Sequence, residues 1–135
     1  MAVESIQNII DQWKSENVEL NDPATIEAIV ELENTLGFNF PSDFKDFYLK
    51  VDGFKNWGII SNIFSIWPIE RIIDEYKRDD NKNFVGFCDA CMNCHQIGYF
   101  KDRFGIYKSY DEFNPIAQTF EEAIQLINND SEIIY

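Results

Sequence analysis

The chain has 135 residues, 45% of them apolar and 16% aromatic, and a formal net charge of −13. This length favours one domain over residues 1–135 with its own core, and twelve Phe, six Tyr and three Trp argue against intrinsic disorder. No apolar run nears the roughly 20 residues that cross a bilayer, and the negative field repels nucleic-acid phosphates and anionic lipids, so neither nucleic acid nor a membrane is expected as a partner.

In chain order, the N-terminal stretch carries Glu4 and Asp11 without a basic start, which reads as an amphipathic helix and not a signal peptide. Ile6, Ile9, Ile10 and Trp13 form its apolar stripe at helical spacing. Asp22 and Pro23 then predict the start of a second helix, as cap and first residue, with Ile26, Ile29, Val30 and Leu36 inward and Gly37 as its stop. A third helix is expected from about Pro41, with Phe44, Phe47, Tyr48 and Val51 buried and Gly53 ending it. The run 57–67 is rich in β-branched and aromatic residues and reads as strand with a turn near Ser61 and Asn62.

Trp67 and Pro68 open a fourth helix whose inner face is Ile69, Ile72, Ile73 and Tyr76, followed by a polar loop over 78–83. Residues 84–88, 96–100 and 104–108 then read as strands, the last two joined around Lys101, Asp102 and Arg103. Thr119 and Glu122 have capping-box spacing for a final helix that buries Phe120, Ala123, Ile124 and Ile127. Helices, then strands, then one helix indicate an α+β domain, a mainly antiparallel sheet with helices packed on it.

The charge is concentrated at the two ends. Residues 1–33 hold eight acids against Lys14 alone, residues 109–135 hold six acids and no base, and the segment between is balanced. Such ends either keep the protein soluble or steer a basic partner toward it. Three cysteines are too few for a secreted disulfide scaffold, so reduced thiols and a cytoplasmic setting are expected. Cys88, Cys91, Cys94 and His95 are each potential zinc ligands, but adjacent ligands rarely reach one metal and no second cysteine pair completes a site. In an extended segment Cys88 and Cys94 share a face, as small apolar fillers of a core. A Cys–His nucleophile lacks a third orienting group, no Gly-rich phosphate cradle exists, and neither catalysis nor a cofactor or metal is expected.

Two carboxylates sit among apolar residues. Glu33, seven residues after Ile26, needs backbone amides near 37–41 or a cation such as Arg71. Asp89 is expected to be buried and held by backbone amides. Trp57, after Lys55 and Asn56 in an expected loop, either anchors a partner or covers the core.

Over residues 24–128 the chain resembles the SUKH superfamily, which takes in a fungal cell-wall synthesis regulator and many bacterial immunity proteins of polymorphic toxin systems. The residues that carry the likeness are Glu33, Leu36 and Gly37, then Phe40 and Pro41, Phe44 and Phe47, and Gly53. Trp67 and Pro68 with their helix, the strands between 84 and 100, and the stretch 116–122 that ends in Phe120, Glu121 and Glu122 follow in the family's order. Where family members often carry a Gly-rich or acidic turn, this chain has CDACMNCH. The resemblance implies an α+β domain that acts by binding another protein and carries no catalytic machinery. In bacterial members that partner is a toxin, often a nuclease. The expected partner here is therefore a cognate toxin with a basic surface, met by loop or terminal acids and aromatic anchors. Trp57, Asp79, Asp80, Asp102, Asp111 and Glu112 are the candidates. A regulatory or scaffolding adaptor of the same fold is the alternative.

Overall fold

A computed structural model describes residues 6–55, 64–90 and 95–135. Helices α1 (Ile6–Ser15), α2 (Ile26–Leu36) and α3 (Ser42–Tyr48) come first, then β1 (Phe64–Ile66) and α4 (Ile69–Arg78). Strands β2 (Phe84–Ala90), β3 (His95–Phe100) and β4 (Tyr107–Lys108) precede α5 (Phe120–Asn128) and a 3-10 turn, Glu132–Ile134. The four strands pair antiparallel in the order β1-β2-β3-β4. The α+β class read from the sequence is the class observed.

One side of the sheet carries Val85, Phe87, Ile97 and Tyr99 into a core completed by the helices. There Phe44 of α3 stacks on Phe40 at 4.0 Å between centroids and meets Phe87 and Phe120 edge-on at 6.1 and 5.1 Å. Trp13 of α1 donates from its indole to Asn128 of α5 at 2.8 Å, so the first and last helices share a buried bond. On the opposite side Phe84, Phe100 and Tyr107 form a separate small cluster. The register shifts between Gly86 and Cys88, a bulge that bends β2. β2 and β3 approach so closely that a Cβ on Gly98 would lie 2.0 Å from the Val85 carbonyl oxygen.

Several local expectations are corrected. Thr25, not Asp22, caps α2, its side chain accepting from the Ala28 amide, so Pro23 lies outside the helix. The inner stripe of α2 is Ile29, Leu32 and Leu36, while Ile26 and Val30 are 65% and 48% exposed. Val30 follows Ile29 by one residue, about 100° round the axis, which turns it off the core. Gly37 does stop α2, in the left-handed region at φ 66°, its amide bonded to the Glu33 carbonyl. Gly53 does not stop α3, which ends at Tyr48 with Leu49 as cap. Its φ of 68° and the Pro68 nitrogen, 2.5 Å from where a Cβ would stand, show that it brings the chain against the start of α4. Of the strand expected over 104–108 only Tyr107–Lys108 forms. Gly105 has φ 95°, incompatible with a strand, and Ile106 pairs instead with Ala117. Of the run 57–67, Phe64–Ile66 is strand, and the expected turn at Ser61 and Asn62 lies outside the described residues.

Candidate functional site

The two apolar-region carboxylates are structural clamps. Glu33 accepts from the Phe40 amide at 2.8 Å and pairs with Lys45 at 3.2 Å, pinning the link between α2 and α3. It uses a backbone amide in the expected stretch and not Arg71. Asp89 is buried as expected, but side chains hold it: the Trp67 indole donates to one oxygen at 3.1 Å and Arg71 to the other at 3.4 Å. Arg71 also pairs with Glu75 and lies 4.5 Å from the Trp67 ring centroid. Guanidinium, indole and carboxylate thus satisfy one another across the sheet.

The chemistry-bearing residues near this network are likewise occupied. Cys88 is fully buried, and burial, then the Asp89 charge, pushes its thiol well above the usual range, which favours the neutral thiol packed in the core. His95 donates a ring N–H to the Ile134 carbonyl at 2.6 Å. Cys91 and Cys94 lie outside the described residues, as does Trp57. Among the described residues no group of three or more His, Cys, Asp or Glu could hold a metal, and no helix is long and apolar enough to cross a membrane.

The remaining acidic candidates gather at one end of the sheet, on three loops joined by hydrogen bonds. At the end of α4 the Asp79 carboxylate accepts from the Asn81 amide (2.9 Å), and the Asn81 side chain accepts from the Asn83 amide (3.0 Å). The Asn83 side-chain amide reaches the β3–β4 loop, donating to Asp102 at 3.0 Å. Arg103 continues the chain. It lies 3.5 Å from Asp102, donates to the Glu112 carbonyl at 2.5 Å and faces the Glu112 carboxylate at 3.6 Å. In that third loop Asp111 accepts from the amides of Phe113 and Asn114, an aspartate-closed turn. Asp79, Asp102, Asp111 and Glu112 therefore belong to one connected rim, and Asp80 is exposed beside Asp79.

The Asn83 bond to Asp102 and the Asn114 bond to Asp111 lower both carboxyls from the ordinary aspartate value, which favours the charged form of these two groups. Phe104, next to Arg103, is 94% exposed and Phe113, next to Glu112, is 79% exposed. Sequence reading missed both, because a strand over 104–108 would have covered Phe104. The signal was present as a loop-forming Asp102-Arg103-Phe104-Gly105 and as an Asp111-to-Pro115 turn. Arg103, the brace between the two phenylalanines, was read only as part of a turn.

This helix-and-sheet layout, with the Glu33 clamp closing on Phe40 just before Pro41, is matched by a family model. The model of the SMI1 / KNR4 family (SUKH-1) covers residues 23–126. The chain belongs to that family. No curated protein matches it. Within this SUKH-1 domain, Leu36, Phe44 and Phe120 are core, Gly37 and Gly53 occupy left-handed positions, and Pro41 leads into α3. SUKH-1 membership supports a toxin-immunity or SMI1/KNR4-type role carried out through a protein partner, and the family is generally regulatory or protective and not enzymatic.

Proposed function

We propose that this SUKH-1 domain is a non-enzymatic immunity protein that binds and neutralises a cognate toxin, with the acidic, aromatic rim as its contact surface. The observation that carries the reading is the pairing of Phe104 and Phe113 with Asp102 and Glu112 on loops already braced by Arg103. Large exposed aromatics are the residue type that dominates binding energy once desolvated. Braced loops lose little freedom on association, so less of that energy is spent on ordering. The charged rim, set in a chain of net charge −13, steers a basic cleft into place, and if the toxin is a nuclease its carboxylates stand where substrate phosphates bind. Trp57 remains a further contact candidate.

The test is co-expression with the open reading frame adjacent to this gene. Growth is rescued by the wild-type chain and lost with Asp102→Lys and Glu112→Lys together, while the thermal midpoint of the doubly reversed protein stays near wild type. Rescue by the reversed protein removes the rim from the reading, and an adjacent product that is harmless alone favours the adaptor role. Association of the purified pair is expected to slow steeply as salt is raised, and a flat rate removes the steering step.

A further inference from the structure

Beside Phe104 the rim opens into a groove of about 430 Å³ between the α2–α3 link and the β3–β4 loop. Phe38, Pro41, Tyr99 and Phe104 form its apolar walls. The two cations along it are already engaged. Lys101 bonds the Leu36 carbonyl and the Tyr76 hydroxyl, and Arg103 is taken by Asp102 and Glu112. Asp102 at the mouth keeps its charge.

Tyr99 supplies a second, independent observation. Its ring packs between Phe38 and Phe87, at 5.3 and 5.7 Å, and its hydroxyl is a buried side-chain polar atom without a hydrogen-bond partner. A group in that condition has been stripped of water with nothing returned. The groove shares its lining between Tyr99 and the almost wholly exposed Phe104, which can swing without loss of core packing.

Resting on the protein-binding reading above, we propose that this groove seats an aromatic side chain with an N–H or O–H donor edge, presented on a basic segment of the partner. The ring lies between Phe38 and Phe104, its donor satisfies the Tyr99 oxygen, and neighbouring basic residues face Asp102 and the rest of the rim. The outer strip of α2, Ile26 and Val30 between Glu27 and Glu31, also offers apolar surface with acids. It has aliphatic side chains only and no orphaned polar group, so it fits this occupant less well.

The probe is a synthetic peptide with one Trp between two Lys-Arg pairs, with Phe and Ala versions as comparators, titrated into the ¹⁵N-labelled full chain. The Trp peptide is expected to give saturable amide shifts at Phe38, Tyr99, Phe104 and Gly105, binding roughly fivefold tighter than the Phe peptide, as one added hydrogen bond provides. Tyr99→Phe removes that preference, and Phe104→Ala abolishes the shifts. Both variants are checked for an unchanged fold by their spectra. Equal binding of the Ala peptide, shifts centred on Ile26 and Val30, or no saturable shift with Trp overturns the proposal, and equal Trp and Phe affinities overturn the role of the Tyr99 hydroxyl. The neutralisation assay separates the two readings. If Phe104→Ala and Tyr99→Phe still protect fully, the groove is wrong and immunity stands. If the peptide binds but no adjacent product is neutralised, immunity is wrong and the groove stands.

Discussion

Phe44, Phe87 and Phe120 meet beneath the sheet with ring centroids 5.1–6.1 Å apart, whereas Phe104 and Phe113, on loops at its end, stand almost free in solvent. The aspartates divide in the same way. Burial, with the Glu70 charge adding, raises Asp52 against the lowering effect of its bond from the Ile69 amide, while donated hydrogen bonds lower Asp102 and Asp111. In the interior, apolar rings are spent on cohesion and charge is costly. At the rim, rings and charge are both kept available, and the ordering bonds go through side chains such as Arg103, Asn83 and Asp111. Substitutions inside should therefore cost stability, and substitutions at the rim should cost recognition.

The largest effect is expected from Phe44→Ala. The ring is fully buried and touches Phe40, Tyr48, Phe87, Tyr99 and Phe120, so its removal leaves a cavity and should destabilise by about 3–5 kcal/mol in urea unfolding. A loss below about 1 kcal/mol would mean that the core collapses around the gap and is less well packed than the ring contacts indicate.

Next comes Asp89→Ala, which strands the Trp67 indole and leaves Arg71 with Glu75 as its carboxylate at this site. Breaking a buried ion pair from one side is costly, but the remaining partner softens the loss, which should reach about 2–3 kcal/mol by the same measurement. Asp89→Ala with Arg71→Met should recover part of it, since the desolvated cation that lost one of its two carboxylates is then gone.

The elements that the sequence made legible are those where periodicity, caps and burial agree. The stripes of α1, α3 and α5, the Thr119 cap and the Gly37 stop follow from spacing and turn chemistry alone, and so does the packing of helices on an antiparallel sheet. What was not legible depends on long-range pairing. Whether Phe104 is strand or loop is decided by Gly105, whose positive φ is set by the meeting of Ile106 and Ala117, eleven residues apart. Asp89 could be recognised as a buried carboxylate, but its partners lie 18 and 22 residues earlier and reach it only because α4 folds back on β2. The same limit held for the site: acids on loops were visible as candidates, but the bonds that join Asp79, Asp102 and Glu112 into one rim, and the two phenylalanines on it, appear only once the loops converge.

A smaller effect separates the aspartates by pH. Because Asp52 has its folded pKa raised above the unfolded value, the native state holds that proton to higher pH, and stability falls as pH climbs from the unfolded toward the folded value. Asp52→Asn keeps an acceptor for the Ile69 amide and should flatten that part of the profile, with a slight gain at neutral pH. A variant that is less stable at neutral pH would show that the charge itself, next to the first turn of α4, outweighs its desolvation.

The smallest change in stability is expected at the rim, and it bears most directly on the comparison. Phe104→Ala removes a ring with few neighbours, so unfolding should shift by no more than about 0.5 kcal/mol. Asp102 has the opposite sign to Asp52: with its folded pKa lowered, its contribution is present above the unfolded pKa and fades as pH falls through the folded one, so Asp102→Asn should lower the neutral-pH midpoint slightly and converge with wild type in acid. If either rim variant instead unfolds the protein, then Phe104 or the Asn83–Asp102–Arg103 bonds are part of what holds β3 to β4, and the division between a cohesive interior and a recognition surface fails. If both fold normally and the partner's dissociation rate rises with Phe104→Ala while its association rate falls with Asp102→Asn, the ring and the charge have the separate roles that an anchor and a steering group must have.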